Sequence, residues 1–551
     1  MTTRVVAVIV SCCCFVAALI VPLSLAPRAQ EGPAISSSSS TRYPPDIVRL
    51  LDQATFGPSP ELVDHVVNLG QDAFLSEQLS APLTPYPELP PMPSTRPDTC
   101  TGTCQRDNYT MYPLQTHFFT NALAGSDQLR QRVAFALGQI FVVSALNSKV
   151  TLSSWMGPYQ QLLYKDALGN FRHLLSDVTL NPAMGSYLNV LSNKQLNPST
   201  GVKPNENYAR EILQLFTIGL TLLNQDGTPQ LSNGAPIPAY DQAIVEAFAR
   251  VFTGWILAPA FGTGIPNYRD PMVQRVTRGV EVDHDRGEKQ LLGGETVPAG
   301  LSAAADLNAA LDNIFNHPNV GPFIGKQLIQ HLVTSNPSGE YVARVAAVFA
   351  DNGSGTRGDL AAVVGAILTD PEARGDLHTE PTYGHLVEPV LFITRLLRAF
   401  HAVSDGVLAS YSATMEQDLF RAASVFNFYP PGYRIVGGHG LAGPEFKVYN
   451  SATALARINF VNTLVFGSIP PSPPDRPAGT TIDLTSLVAL AKNPELLIDE
   501  LNGLLLHQSL TPAMHDAVLA AVTAIPSSNP TMRAKTAAYL VASSSAYQVE
   551  R

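Results

Sequence analysis

Basic residues, tryptophan and cysteine are all scarce in this sequence, and each scarcity excludes something. Lys and Arg total 35 against 45 Asp and Glu, a net charge of −10, and nowhere do five basic residues run together. A nucleic acid or an anionic lipid surface is repelled by such a chain on average, so neither is an expected partner. Charged residues make up only 15% and hydrophobic ones 45%, which places the chain among globular proteins with a sizeable core rather than disordered ones. Two tryptophans in 551 residues argue against an extended carbohydrate platform. The sequence has no Gly-x-Ser-x-Gly elbow, no His-Glu-x-x-His, no phosphate-binding Gly-rich loop before Lys-Ser/Thr and no dinucleotide fingerprint. Their absence argues against a standard serine hydrolase, a zincin and a nucleotide enzyme. No repeat recurs at a fixed period of about twenty to fifty residues, which disfavours a regular solenoid.

Of the five cysteines, Cys12, Cys13 and Cys14 sit in an apolar N-terminal stretch. There Arg4 precedes Val5 to Ala26, which end in small residues before Pro27, the pattern of an export signal over residues 1–29. A cut directly after Ala26 would leave Pro27 behind it, so a retained anchor is the alternative to a cleaved signal. Residues 30–42, with the serine run Ser36 to Ser40, have nothing to bury and read as a flexible linker. The expected location is therefore periplasmic or extracellular, touching a membrane only through an uncleaved signal. In an oxidising compartment Cys100 and Cys104 are close enough to close a small disulfide loop. The rival reading, half of a metal site, lacks two further ligands nearby.

From residue 43 to 545 the dominant pattern is helical. Ile47, Leu50, Leu51 and Ala54 recur at helical spacing before Phe56-Gly57-Pro58, and a second helix runs from Pro60 to about Leu69. Apolar stripes follow around Leu129 to Ile140 and in 158–177, 205–220, 240–253, 303–315, 320–333, 340–350, 359–369, 385–402, 447–465 and 512–524. Strand alternation is rare. Its clearest case is Val280, Val282 and His284, followed by Arg286-Gly287 and Lys289 to Leu292, which reads as a β-hairpin. The expected fold is mainly α, an irregular multi-helix globular assembly with a small β-hairpin insertion. Pro- and Gly-rich breaks near 257–272 and 468–480 mark either domain boundaries or long internal loops.

Several polar blocks could carry chemistry. The most polar helix start is Asn205-Glu206-Asn207-Tyr208-Ala209-Arg210-Glu211. Glu206 and Arg210 are spaced for an i,i+4 ion pair, and the block is either a capped helix with a charged face or one wall of a cleft. In the second case Glu206 or Glu211 serves as acid, base or metal ligand, and Asn205, Asn207, Tyr208 and Arg210 bind substrate. Asp283 to Lys289 concentrates both charge signs and a histidine. His284 and Asp285 are its catalytic candidates and Lys289 a binding one, against ordinary turn chemistry as the alternative. A divalent metal is conceivable among these carboxylates, of unknown identity, but the spacing does not match an EF-hand. His385 and Glu388 stand three apart on an expected helix, either as metal ligands or as a solvated pair. Phe426 to Tyr433 is an aromatic, proline-fixed loop, suited to stacking on sugars or to plugging the core.

Taken together, Leu50–Leu62, Asn205–Gly219, Phe252–Trp255, His284–Gly293 and His317–Val333 resemble the ordered signature blocks of the domain-of-unknown-function-1800 family of exported bacterial proteins. The block from Asn205 to Glu211 is the most specific. The resemblance implies a large helical exported protein without an established role, often encoded beside another exported protein that is a candidate partner. It also places Asn205 to Tyr208, Arg210, Glu211, His284, Asp285 and Lys289 at signature positions. This chain departs where many relatives carry a Trp- and His-rich stretch, reading Ala136 to Phe141 instead.

Two functions fit. One is an envelope or extracellular enzyme, hydrolytic or lyase-like on a polysaccharide or related polymer, with Glu206 or Glu211 as acid/base and His284 with Asp285 as partner. The other is a non-catalytic scaffold or secretion-assembly protein, whose polar blocks form a buried network.

Overall fold

Proline and short polar caps set the helix starts. Ser59, Asn181, Asp241, Ser302, Asp359, Asn450 and Thr511 each accept a backbone N–H from the first turn of the helix that follows them, which satisfies donors that would otherwise be orphaned. The computed structural model describes residues 42–146, 149–375, 380 and 382–551. The expected signal at 1–29, with Cys12 to Cys14, and residues 30–41 of the expected linker lie outside these. Among the described residues are 24 α-helices and small two-stranded antiparallel sheets, a mainly α fold. No helix among them is long and apolar enough to cross a membrane.

Arg42–Arg551 form one compact unit. Its centre is the Pro389–Ala399 helix, buried at nearly every position. The Val320–Leu332 helix carries Gly321 and Gly325 toward the Gly339–Ala350 helix. A Cβ on Gly325 would stand 2.9 Å from the Val345 side chain, and one on Gly321 3.2 Å from the Ala346 carbonyl, so the small residues permit the close approach. Four helices, Thr485–Leu490, Pro494–Leu506, Pro512–Thr523 and Pro530–Ala542, group near the C-terminus. The Val549–Glu550 strand then pairs with His385–Leu386 in the middle of the fold.

Two local expectations are corrected. Residues 280–292 do not pair with one another: Val280–Glu281 pairs back with Val276–Thr277, and Lys289–Gln290 forward with Thr296–Val297. The turn of the first hairpin is Arg278-Gly279, both at positive φ, the geometry that suits a tight antiparallel turn. His385 is on a strand rather than a helix, because Glu388 precedes Pro389 and is held extended (φ −67°, ψ 154°).

Cys100 and Cys104 are disulfide-bonded, with Cα atoms 5.2 Å apart. Arg49, Arg132 and Arg457 are among the largest fully buried side chains. Burying a charge costs several kcal/mol unless it is paired, so the centre of this core holds charges that need an account.

Candidate functional site

The block from Asn205 to Glu211 opens the Asn207–Gln214 helix. Asn205 receives the Asn207 N–H on Oδ1 at 3.0 Å, and its own N–H donates to Asn193 Oδ1 at 2.8 Å. Arg210 and Gln242 both donate to Glu206 Oε2 at 2.9 Å, so Glu206 is held in a surface ion pair. Tyr208 is buried with its hydroxyl 2.7 Å from Thr179 Oγ1. Glu211 is half-buried with Oε2 unpartnered; burial raises its carboxyl against the pull of Arg210. Asn207 is exposed.

The 283–289 block is a different kind of object. His284 is buried, with Nε2 3.1 Å from Asp306 Oδ2 and Nδ1 3.0 Å from the Thr253 carbonyl. Gly254, at φ 88°, admits it: a Cβ there would stand 2.9 Å from the His284 Cβ. Lys289 Nζ donates to the Asp285 carbonyl at 2.6 Å, the Gly287 carbonyl at 2.9 Å and Asp306 Oδ2 at 2.5 Å. Arg250 grips Asp285 with two donors at 3.0 and 2.9 Å. Burial alone would raise Asp285 and Asp306, but the hydrogen bonds from Arg250 to one, and from His284 and Lys289 to the other, hold both below the ordinary carboxylate range. A small 160 Å³ cavity is lined by Glu206 of one block and Asp285 of the other, with Arg250. His284 and Lys289 offer a ligand no free atom there. Sequence reasoning missed Asp306, which looks like any first-turn acid after a serine cap.

A larger opening lies along the Val320–Leu332 helix. Two adjoining cavities of 410 and 320 Å³ share Phe323, Gln327, Gln330, Pro431 and Gly432, so together they form a groove. Its walls come from three of the polar or aromatic stretches in the sequence: Gln214, Leu215 and Gly219 from the block at 205–219, Gln327, Gln330 and His331 from the block at 317–333, and the loop from Phe426 to Gly432. That loop plays both parts expected of it. Phe426 is 49% exposed, whereas Tyr429 is buried with its hydroxyl 2.7 Å from Glu388 Oε2 and 3.0 Å from Gln139 Oε1. Gln139, from the departing stretch Ala136 to Phe141, also donates to Glu388 and accepts from Asn427.

Glu445 is at the floor of the narrower cavity. It is 3% exposed, its Oε2 has no hydrogen-bond partner, and Oε1 is 3.8 Å from His385 Nδ1. Burial pushes its carboxyl up to about 7, although the His385 charge pulls the other way. Burial, with the charges of Arg132 and His385 added, drives His331 down to about 3, so that imidazole is neutral. Burial also lowers His385, but its hydrogen bond to Glu550 and the charges of Glu550 and Glu445 outweigh that and raise it. Behind them Arg395 bridges Glu550 and Asp52, and His507 Nε2 is 2.7 Å from Asp52 Oδ2. Arg132 donates only to the His331 carbonyl, leaving Nε and Nη1 unpartnered. The buried charges of the core therefore gather behind this groove.

Chemically the groove presents a protonatable carboxyl, a neutral imidazole and a row of amides under an exposed aromatic ring. Its wider half carries Lys326 and Arg434 and no carboxylate. Elsewhere, Asp166, His173 and Asp177 bring their ligand atoms close enough to hold a metal ion.

A family model described as "Protein of unknown function (DUF1800)" matches residues 49–549. Nothing matches among curated proteins or among solved structures.

Proposed function

Because the chain belongs to this DUF1800 family of unknown function, no activity is inherited with the fold, and we propose from the groove itself an exported enzyme that cleaves an acidic polysaccharide or related polymer. The observation that carries this reading is Glu445: a buried carboxyl with one oxygen lacking a hydrogen-bond partner, pushed up to about 7 by burial, among the residues that line the groove. A carboxyl protonated at neutral pH is what a general acid requires. Brought against a glycosidic oxygen by a shift of the groove's lining, it would give up its proton as the bond to the leaving sugar breaks, while a water adds to the anomeric carbon and releases its proton to solvent. Neutral His331 would accept a hydrogen bond from the chain, and the amides of Gln214, Gln327 and Gln330 would orient its hydroxyls. Phe426 gives a ring for a sugar face. Lys326 and Arg434 are the reason for an acidic polymer: two cations in a lining that includes no carboxylate, with Asp226 facing Lys326 from beside it, on a protein of net charge −10. This reading moves the acid/base role from Glu206, Glu211, His284 and Asp285 to Glu445.

The test is release of reducing or unsaturated ends from a polyuronate, an amino-sugar uronan and a neutral β-glucan by wild type, Glu445→Gln and His284→Ala. An acidic polymer should be cut, with Glu445→Gln slower by about a hundredfold or more and His284→Ala impaired only as far as it unfolds. Full activity in Glu445→Gln would overturn the reading. The scaffold reading is favoured by one observation, the sealed His284–Asp306–Lys289 cluster. It would take over if no polymer is bound or cut and both variants differ from wild type only in stability.

A further inference from the structure

The Ser153–Asp166 helix ends one turn before the Phe171–Leu180 helix begins, and the corner between them gathers three ligand-type side chains. His173 and Asp177 are four apart on the second helix and so share a face; Asp166 is the last residue of the first. His173 Nε2 is 3.5 Å from Asp177 Oδ2 and 4.0 Å from Asp166 Oδ1, and one ligand atom from each of the three lies within 4.8 Å of the others. Ligand atoms bound at about 2.1 Å around a tetrahedral ion stand about 3.4 Å apart. Small side-chain rotations close the difference.

A second, independent feature points to a cation. The Asp166 side chain is 5% exposed, yet its Oδ2 has no hydrogen-bond partner. A buried carboxylate oxygen without a donor is rare and costly. A full-time cation at the corner is Lys165, whose Nζ is 3.8 Å from Asp177 Oδ2 and whose side chain is 64% exposed; it can swing aside.

We propose that Asp166, His173 and Asp177 form a divalent transition-metal site, with zinc the ion that one imidazole and two carboxylates suit best. Three protein ligands leave a fourth position open. Asp177 and Lys165 also line a 410 Å³ cavity walled by Tyr86, Trp155 and Tyr268, so the ion is reachable from that cavity. The site is separate from the Glu445 groove and stands or falls without it.

The experiment uses the full exported chain, stripped with chelator, dialysed and titrated with Zn²⁺ by calorimetry and thermal melting. One ion per chain should bind, raising Tm by about 2–3 °C at a hundredfold excess over Kd for a chain of this length. His173→Ala and Asp177→Asn should lose that response. Lys165→Ala, an exposed change that leaves folding alone, should bind Zn²⁺ roughly twofold to fivefold more tightly, the worth of an exposed competing charge. No heat and no Tm response with millimolar Zn²⁺, an undiminished response in His173→Ala, or unchanged affinity in Lys165→Ala would each overturn the proposal.

Discussion

Lys289 Nζ and His284 Nε2 converge on the same oxygen, Asp306 Oδ2, at 2.5 and 3.1 Å, in a spot that solvent does not reach. One carboxylate thus neutralises a fully buried lysine and fixes a buried histidine. Removing the shared partner leaves Lys289 with only the more distant Asp285 Oδ1 as a charged partner, at 3.9 Å, so Asp306→Asn is expected to cost up to about 3–5 kcal/mol. His284→Ala removes a neighbour but leaves the ion pair, and should cost less. Urea denaturation of the two variants, with wild type, checks the order. The pH dependence has a definite sign: Asp306 is held below its unfolded value, so its contribution is present above about pH 4 and is lost as pH falls through the lower folded value.

Glu445 has the opposite sign. Its folded value, about 7, lies above the ordinary 4.5 of an unfolded glutamate. Ionising it inside the fold is unfavourable, so its presence lowers stability progressively as pH rises from about 4.5 to 7, and the loss is complete above that. Glu445→Gln keeps the shape and abolishes the charge. Melting temperatures should therefore nearly agree at pH 4.5, while the variant is the more stable protein at pH 8. Equal melting at both pH values would mean that Glu445 ionises freely.

Much of the helical framework was readable because apolar spacing survives in single helices, as in Ala303–Phe315 or Val320–Leu332. The stripe at 158–177 became two helices because Gly169 and Asn170 interrupt it; the Asn170 side chain caps the second. The site was harder to read for a physical reason. Charge is dense at 283–289, yet it is satisfied by Arg250, Asp306 and backbone carbonyls. The groove's polar residues are single glutamines and a histidine within an apolar helix, a weak signal in Gln327, Gln330 and His331. Glu445 stands alone between Pro444 and Phe446, and its neighbours His385 and Glu388 come from a segment far away in sequence. Only folding brings such residues together, so no local pattern records them.

Phe426 separates binding from folding. Its ring is 49% exposed on the groove wall, so Phe426→Ala should change stability by no more than about 0.5 kcal/mol. A stacked aromatic face is worth about 0.5–1.5 kcal/mol, and the polymer cut in the activity assay should accordingly bind about twofold to tenfold more weakly. Affinity electrophoresis in gels containing that polymer measures this directly. Unchanged migration would place the polymer elsewhere.

Arg395 ties the two ends of the described chain to its centre, donating from Nη2 to Asp52 and from Nη1 to Glu550 at 2.5 and 3.2 Å. Both carboxylates are buried, and Glu550 also faces His385 Nε2 at 3.4 Å. Burial would raise Glu550, but His385 first and then Arg395 and His507 pull it down to about 2. The stabilisation this represents is present above the unfolded glutamate value and lost as pH falls toward 2. Arg395→Met keeps the apolar length of the side chain and removes the charge, leaving His507 with Asp52 and His385 with Glu550. The loss should be about 3–5 kcal/mol at neutral pH, and the acid-unfolding midpoint should move upward because Glu550 then takes up a proton at higher pH. Adding Glu550→Gln to Arg395→Met removes one of the two stranded carboxylates. The double variant should therefore recover part of the stability, and its acid midpoint should fall back. If the double variant is instead less stable by the full sum of the single losses, Arg395 acts through packing against Tyr547, over whose ring its guanidinium sits at 5.7 Å, and the charge pairing is secondary.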